Sequence, residues 1–169
     1  MDNDTWGYCH TRGVLKTREF ICNTTNSRGG AQITPDDIIF FNGLGDAIAK
    51  IYGCLEPSAR VLMPSPSYTT HTLGEIGHAG APSLHFTLYP EQGWQPNIDE
   101  MRATIVANPS ICAIMFINPD NPTGMVYTKE VLKQIVALAK EFGLFIIADE
   151  VYINIVYNGC STVPVSDVI

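Results

Sequence analysis

From residue 33 onward, short runs rich in β-branched and aromatic residues alternate with stretches whose apolar positions recur at helical spacing. That alternation predicts βαβ units feeding a mostly parallel sheet with helices on both faces, a three-layer α/β/α fold. The strand candidates are residues 37–42 (DIIFFN), 60–63 (RVLM), 84–88 (LHFTL), 111–117 (ICAIMFI) and 144–148 (LFIIA). The last two are almost uninterrupted apolar runs, as in central parallel strands covered on both sides. Helices are predicted over 46–55, 70–78, 98–108 and 128–142. In the last of these, Val131, Ile135, Leu138 and Ala139 share a face, Thr128 is placed to cap the start and Gly143 to stop the helix. Ahead of the sheet the pattern predicts a helix over 10–22 and a polar loop over 23–30.

Composition narrows this picture. A chain of 169 residues that is 46% hydrophobic can bury one sizeable core, and residues 1–30 read as a segment leading into a domain that fills 31–169. The net charge of −7, with no run of Lys or Arg, argues against nucleic acid and anionic membranes, both of which need a basic face. Cys9, Cys22, Cys54, Cys112 and Cys160 are odd in number and widely spaced, so neither a disulfide framework nor a metal site is expected. The N-terminal MDNDTWGYC carries no export signal, and reduced thiols in the cytoplasm fit the whole.

Strand C-termini in such a fold open on one edge, where ligands bind. Three of the strand candidates end there in polar or glycine-rich text. Asn42-Gly43-Leu44-Gly45-Asp46 reads either as a strand-to-helix turn capped by Asp46 or as a seat for a phosphate on free amides. Asn118-Pro119-Asp120-Asn121-Pro122-Thr123-Gly124 is a run of turn formers that sets the Asn121 amide at the mouth of a buried strand. Asp149-Glu150-Val151-Tyr152 places a carboxylate at the tip of a central strand, where partial desolvation calls for a proton or cation as partner, unless it serves as a cap.

Taken together with GYCHTRGVLKTREF and PSPSYTTH, the segments FFNGLGDAI, NPDNPTG and ADEVY resemble the fold-type I, class I/II aminotransferases over essentially the whole chain. The resemblance implies the large domain of a pyridoxal-phosphate enzyme that moves an amino group between an amino acid and a 2-oxo acid. Asp149 matches the aspartate set against the ring nitrogen, and with Tyr152 it forms the catalytic pair expected in this chain. Asn121 and Tyr152 match the donors to the 3-oxygen of the ring, and Tyr68 the aromatic residue stacked on it. His71 matches a histidine that supports the aspartate in some members. Gly43, Leu44 and Gly45 match the loop whose amides hold the phosphate. Tyr8 matches a tyrosine that reaches the cofactor of a neighbouring subunit, which implies a homodimer.

The same resemblance leaves parts unaccounted for. The lysine that carries the cofactor in the family is expected beyond Ile169, and Lys16, Lys50, Lys129, Lys133 and Lys140 all precede Asp149. The chain is therefore expected to be an incomplete large domain without the small domain, inactive alone. Leu44 stands where many members have a small or hydroxylated residue. Three alternatives stay open: a C–S lyase or another fold-type I enzyme, the cofactor-binding domain of a transcriptional regulator, or a fragment without activity.

Overall fold

The computed structural model describes residues 7–169. Four strands, β1 (Arg60–Ser65), β2 (Leu84–Thr87), β3 (Ile111–Ile117) and β4 (Phe145–Asp149), form one sheet in the order β2-β1-β3-β4, with every pairing parallel. The helices are α1 (Leu15–Asn26), α2 (Leu44–Gly53), α3 (Thr69–Ala79), α4 (Ile98–Ala107) and α5 (Lys129–Phe142). Side chains alternate across a strand, and both faces of β3 are apolar. Ile114 and Phe116 join Leu62, Phe86, Met101, Leu132, Ile135 and Leu138 in a core under α4 and α5, while Ala113, Met115 and Ile117 join Val61 and Met63 against Ile48 and Tyr52 of α2. Each fully buried side chain of this size contributes roughly 1.5 to 3 kcal/mol, which makes β3 the centre of the α/β/α sandwich.

Local chemistry sets the helix ends. Thr128 Oγ1 accepts from Val131 N at 3.2 Å at the start of α5, and Gly143 closes that helix with φ 66°. Asn97 Oδ1 accepts from Asp99 N at 2.9 Å and Glu100 N at 3.2 Å to start α4. On the opposite face Gly74 lets α3 close on α2, because a Cβ there would come within 2.9 Å of the Tyr52 ring.

Two expectations from the sequence need correction. Residues 37–42 do not form a strand. Thr34 and Asp37 cap a short 3-10 turn at Pro35–Asp37, and Ile39, Phe40 and Phe41 then run 54%, 42% and 38% exposed with no ladder partner among the described residues. An apolar run becomes a strand only where a neighbour accepts its hydrogen bonds, and here Phe40 N meets only Arg12 O at 3.3 Å. The first helix is also shifted: it starts at Leu15, after Gly13 with φ 99°, and continues to Asn26 through text that reads as loop. Long-range bonds override the weak propensity of that stretch, since Asn26 Nδ2 donates to Ile33 O at 2.8 Å and Asn26 Oδ1 accepts from Ile33 N at 2.9 Å.

The N-terminal residues and the last residues are tied together by Arg28 Nε on Asp167 Oδ1 at 2.8 Å and Ala31 N on Ser166 O at 2.6 Å. β4 lies at an edge of the sheet, with Phe145 72% exposed. An open apolar groove of ≈ 610 Å³ runs beside it, walled by Phe41, Ile51, Leu55, Phe145 and Ile147.

Beneath α3, Glu75 is fully buried and its Oε1 accepts from Arg60 Nε at 2.7 Å and from Val61 N at 3.3 Å. This pair joins α3 to the start of β1. Glu75→Ala strands the Arg60 guanidinium and the Val61 amide, and the expected loss is on the order of 3 kcal/mol. Urea unfolding checks this, and an unchanged midpoint would contradict it.

Candidate active site

Three connections leave the C-terminal ends of β1, β3 and β4 on the same edge of the sheet. The last register pair of β3 and β4 is Ile117 with Asp149, so the tips of the two strands are level. Asp149 is 6% exposed. Its Oδ2 lies 3.0 Å from His71 Nε2, and its Oδ1 accepts from Val151 N at 3.2 Å. A ring nitrogen that faces a carboxylate oxygen carries the hydrogen, so His71 donates from Nε2 and leaves Nδ1, which is buried without a partner among the described residues. His71 is in the first turn of α3, which Tyr68 precedes as N-cap. The Tyr68 ring stands edge-on to the His71 ring, with centroids 6.3 Å apart, and is 39% exposed.

Asn121 reaches the same place by a tight loop. Asp120 is buried, and its Oδ2 accepts from Thr123 Oγ1 at 2.6 Å and Thr123 N at 3.2 Å. The loop then closes through Gly124 N on Asp120 O at 2.9 Å and Asp120 N on Met125 O at 2.7 Å. This turn faces the Asp120 carboxylate inward and leaves Asn121 half-buried at the strand mouth.

Leu44, Tyr68, Ile117, Asn121, Asp149, Val151 and Tyr152 line one open cavity of ≈ 90 Å³. Gly43, with φ 88°, stands at the N-cap of α2 without a side-chain cap, so the first amides of that helix lack intrahelical partners. Among the described residues, nothing beyond the adjoining residues and the backbone of α2 itself comes within 4 Å of where a Cβ would sit on Gly43 or Gly45. Of the residues singled out in the sequence, Leu44, Tyr68, Asn121, Asp149 and Tyr152 meet at the cavity, His71 backs Asp149, and Gly43 and Gly45 flank Leu44. Tyr8 is fully exposed and does not line it. Asn42 follows no strand, because residues 37–42 are not one. Sequence reasoning missed Ile117 and Val151, whose only signal is position: one ends β3 opposite Asp149, the other follows Asp149 by two residues.

A buried carboxylate beside an exposed aromatic face, an amide and a phenol suits a flat ligand ring with a protonated nitrogen at one end and an oxygen at the other. The helix start nearby suits an anion. The family model for aminotransferase class I and II matches residues 1–168. The chain belongs to the class I and II aminotransferases.

Among the relatives of this aminotransferase chain, an uncharacterized aminotransferase of Methanocaldococcus jannaschii is 56% identical over 160 residues, 94% of this chain and 37% of that protein. The glutamate-pyruvate aminotransferase AlaA of Escherichia coli is 34% identical over 153 residues, 90% of this chain and 37% of that one. Among solved structures, an Escherichia coli aminotransferase superposes with a TM-score of 0.87 at 32% identity, covering 96% of this chain and 40% of its own. A C-S lyase from Staphylococcus hominis, 22% identical with a TM-score of 0.82, shares the fold alone. The chain spans between a third and a half of the length of the relatives it matches. Membership of the class I and II aminotransferases implies pyridoxal phosphate.

Burial pushes the Asp120 carboxyl above its ordinary range, against the opposing bonds from Thr123. The folded chain therefore favours the protonated form, and the contribution of this group to stability falls as pH rises from the ordinary carboxyl range through the raised value. Asp120→Asn removes that titration and keeps an acceptor for Thr123. The difference in unfolding midpoint between variant and parent is expected to move in favour of the variant from about pH 4 to pH 7. Movement in favour of the parent would refute the assignment.

Proposed function

We propose that this chain is the central part of the large domain of a pyridoxal-phosphate aminotransferase that moves an amino group between an amino acid and a 2-oxo acid. The observation that carries the reading is Asp149, buried at the tip of β4, paired with His71 and facing a cavity with Tyr68, Asn121 and Tyr152. The donor set fits the cofactor. Asp149 supplies a carboxylate for a ring nitrogen, Tyr68 a flat face, Asn121 and Tyr152 donors for the 3-oxygen, and the amides after Gly43 a seat for phosphate. The open space over Gly43 and Gly45 admits close approach of such a group to the backbone.

When bound, pyridoxal phosphate supplies an electron sink for the carbanion formed at the amino acid. Asp149 holds a proton at the ring nitrogen, which a carboxylate in a dry site does far better than one in water. His71 fixes the direction of Asp149 by donating from Nε2, while Val151 N holds the other oxygen. Asn121 and Tyr152 stabilise negative charge on the 3-oxygen. Tyr68 and the apolar walls Ile117, Leu44 and Val151 keep water from the ring.

None of the five lysines of the chain lines this cavity. The amine that takes the cofactor, and the arginines that bind substrate carboxylates, belong on this reading to the remainder of a longer protein. That remainder also covers the apolar groove along β4, and Tyr8 of one subunit reaches the cofactor of the other in a homodimer. Free thiols at all five cysteines suit the cytoplasm.

The expected outcome in the full-length protein is that Asp149→Ala lowers transamination by about 10²- to 10³-fold. The glutamate-pyruvate relatives make alanine with 2-oxoglutarate the first pair to assay. The 169-residue chain alone is expected to show no turnover. Unchanged turnover in the variant, or turnover by the chain alone, would overturn the reading.

A further inference from the structure

Asn118 follows the last residue of β3 and is completely buried, yet it does not line the cavity. Its polar groups join three separate segments. The main-chain N donates to Asp149 O at 2.9 Å, one step beyond the last register pair of β3 and β4. The side-chain Oδ1 accepts from Tyr127 N at 3.2 Å, and Nδ2 donates to Val163 O at 3.2 Å.

Each bond fixes something different. Tyr127 is where the loop that presents Asn121 returns to the core, with its ring 5.1 Å from that of Phe116, so the Oδ1 bond closes that loop at its base. Val163 lies in the strap, from Thr162 onward, that carries the chain away from the turn bearing Tyr152. That strap is held again by Val165 N on Glu150 Oε1 at 2.7 Å and by Thr162 Oγ1 on Ile153 O. The Nδ2 bond thus ties the strap to the end of β3. One amide sets the position of the Asn121 loop relative to the loop of Asp149 and Tyr152, and no other side chain is bonded to both the return of the first loop and the strap among the described residues.

We infer that Asn118 is a positioning residue for the cofactor site, coupling the loop of Asn121, which serves the 3-oxygen of the ring, to the connection that carries Asp149 for the ring nitrogen and Tyr152 for the 3-oxygen. This rests on the functional reading above. An amide suits the place because the two neighbours differ, a backbone N–H on one side and a backbone C=O on the other, and a carboxamide presents its acceptor and its donor on the two arms of one short plane. Gln is a methylene too long for a fully buried place.

The test uses the full-length protein with added pyridoxal phosphate. It compares the parent with Asn118→Ala and with Asn121→Ala. For Asn118→Ala the cofactor dissociation constant is expected to rise about 10-fold, the scale of one or two buried hydrogen bonds. The pH midpoint of the visible absorbance of the bound cofactor is expected to shift in the same direction as in Asn121→Ala, a response that mere loss of stability does not produce. Hydrogen exchange at the Tyr127 amide should quicken in Asn118→Ala alone. Should Asn118→Ala not fold, Asn118→Ser, whose shorter hydroxyl side chain keeps one polar group in the buried place but cannot span both partners, carries the same comparison with the same expected directions. A folded Asn118 variant with the dissociation constant and midpoint of the parent overturns the inference and leaves the functional reading standing. A parent that does not bind pyridoxal phosphate overturns both.

Discussion

The parallel pairing of β3 with β4 in register from Ala113 with Phe145 to Ile117 with Asp149, extended by Asn118 N on Asp149 O, is the constraint on which the site depends. It levels two strand tips that lie far apart in the chain and commits both connections to leave on the same edge. A slip of one residue would turn Asp149 from the cavity and bring Ala148 or Glu150 in its place, since side chains alternate along a strand. Such a slip is costly because β3 is apolar on both faces, with Ile114 and Phe116 buried on one side and Met115 and Ile117 on the other. The core thereby sets the register, and the register sets the chemistry.

Buried carboxylates at Glu75, Asp120 and Asp149 and a half-buried one at Glu150 recur around this frame, and each has a stated partner. Asp149 faces His71, Glu75 faces Arg60, Asp120 faces Thr123 and Glu150 faces the Val165 amide. They divide by role. Glu75, Asp120 and Glu150 fasten helix α3, the Asn121 loop and the C-terminal strap, and none of them lines the cavity. Asp149 alone among them both accepts a fixed bond from behind and lines the cavity in front, the arrangement needed to hold a proton on a ligand rather than on the protein.

Much of this frame is written in local pattern. The runs at 111–117 and 144–148 read as buried parallel strands because they are apolar throughout, and α5 could be bounded by Thr128 and Gly143 because caps are short-range chemistry. Local pattern failed wherever distant groups decide. Residues 37–42 have the composition of a strand but no neighbour to pair with, and Asn23 to Asn26 have the composition of a loop but are held helical by Ile33. Tyr68, Asn121, Asp149 and Tyr152 could be named from motif text, whereas Ile117 and Val151 resemble any other core residue until the cavity is seen. Asn118 passed as a turn former because its partner Val163 lies 45 residues away.

The central claim is that the Asp149 carboxylate at the tip of β4 keeps a pyridine nitrogen protonated. Nitrogen NMR of pyridoxal phosphate labelled with ¹⁵N in the ring, bound to the full-length protein at neutral pH, reads that proton directly. The account predicts a ring nitrogen in the protonated chemical-shift range that moves to the unprotonated range in Asp149→Ala. A bound ring that is unprotonated in the parent, or protonated alike in both proteins, would contradict it.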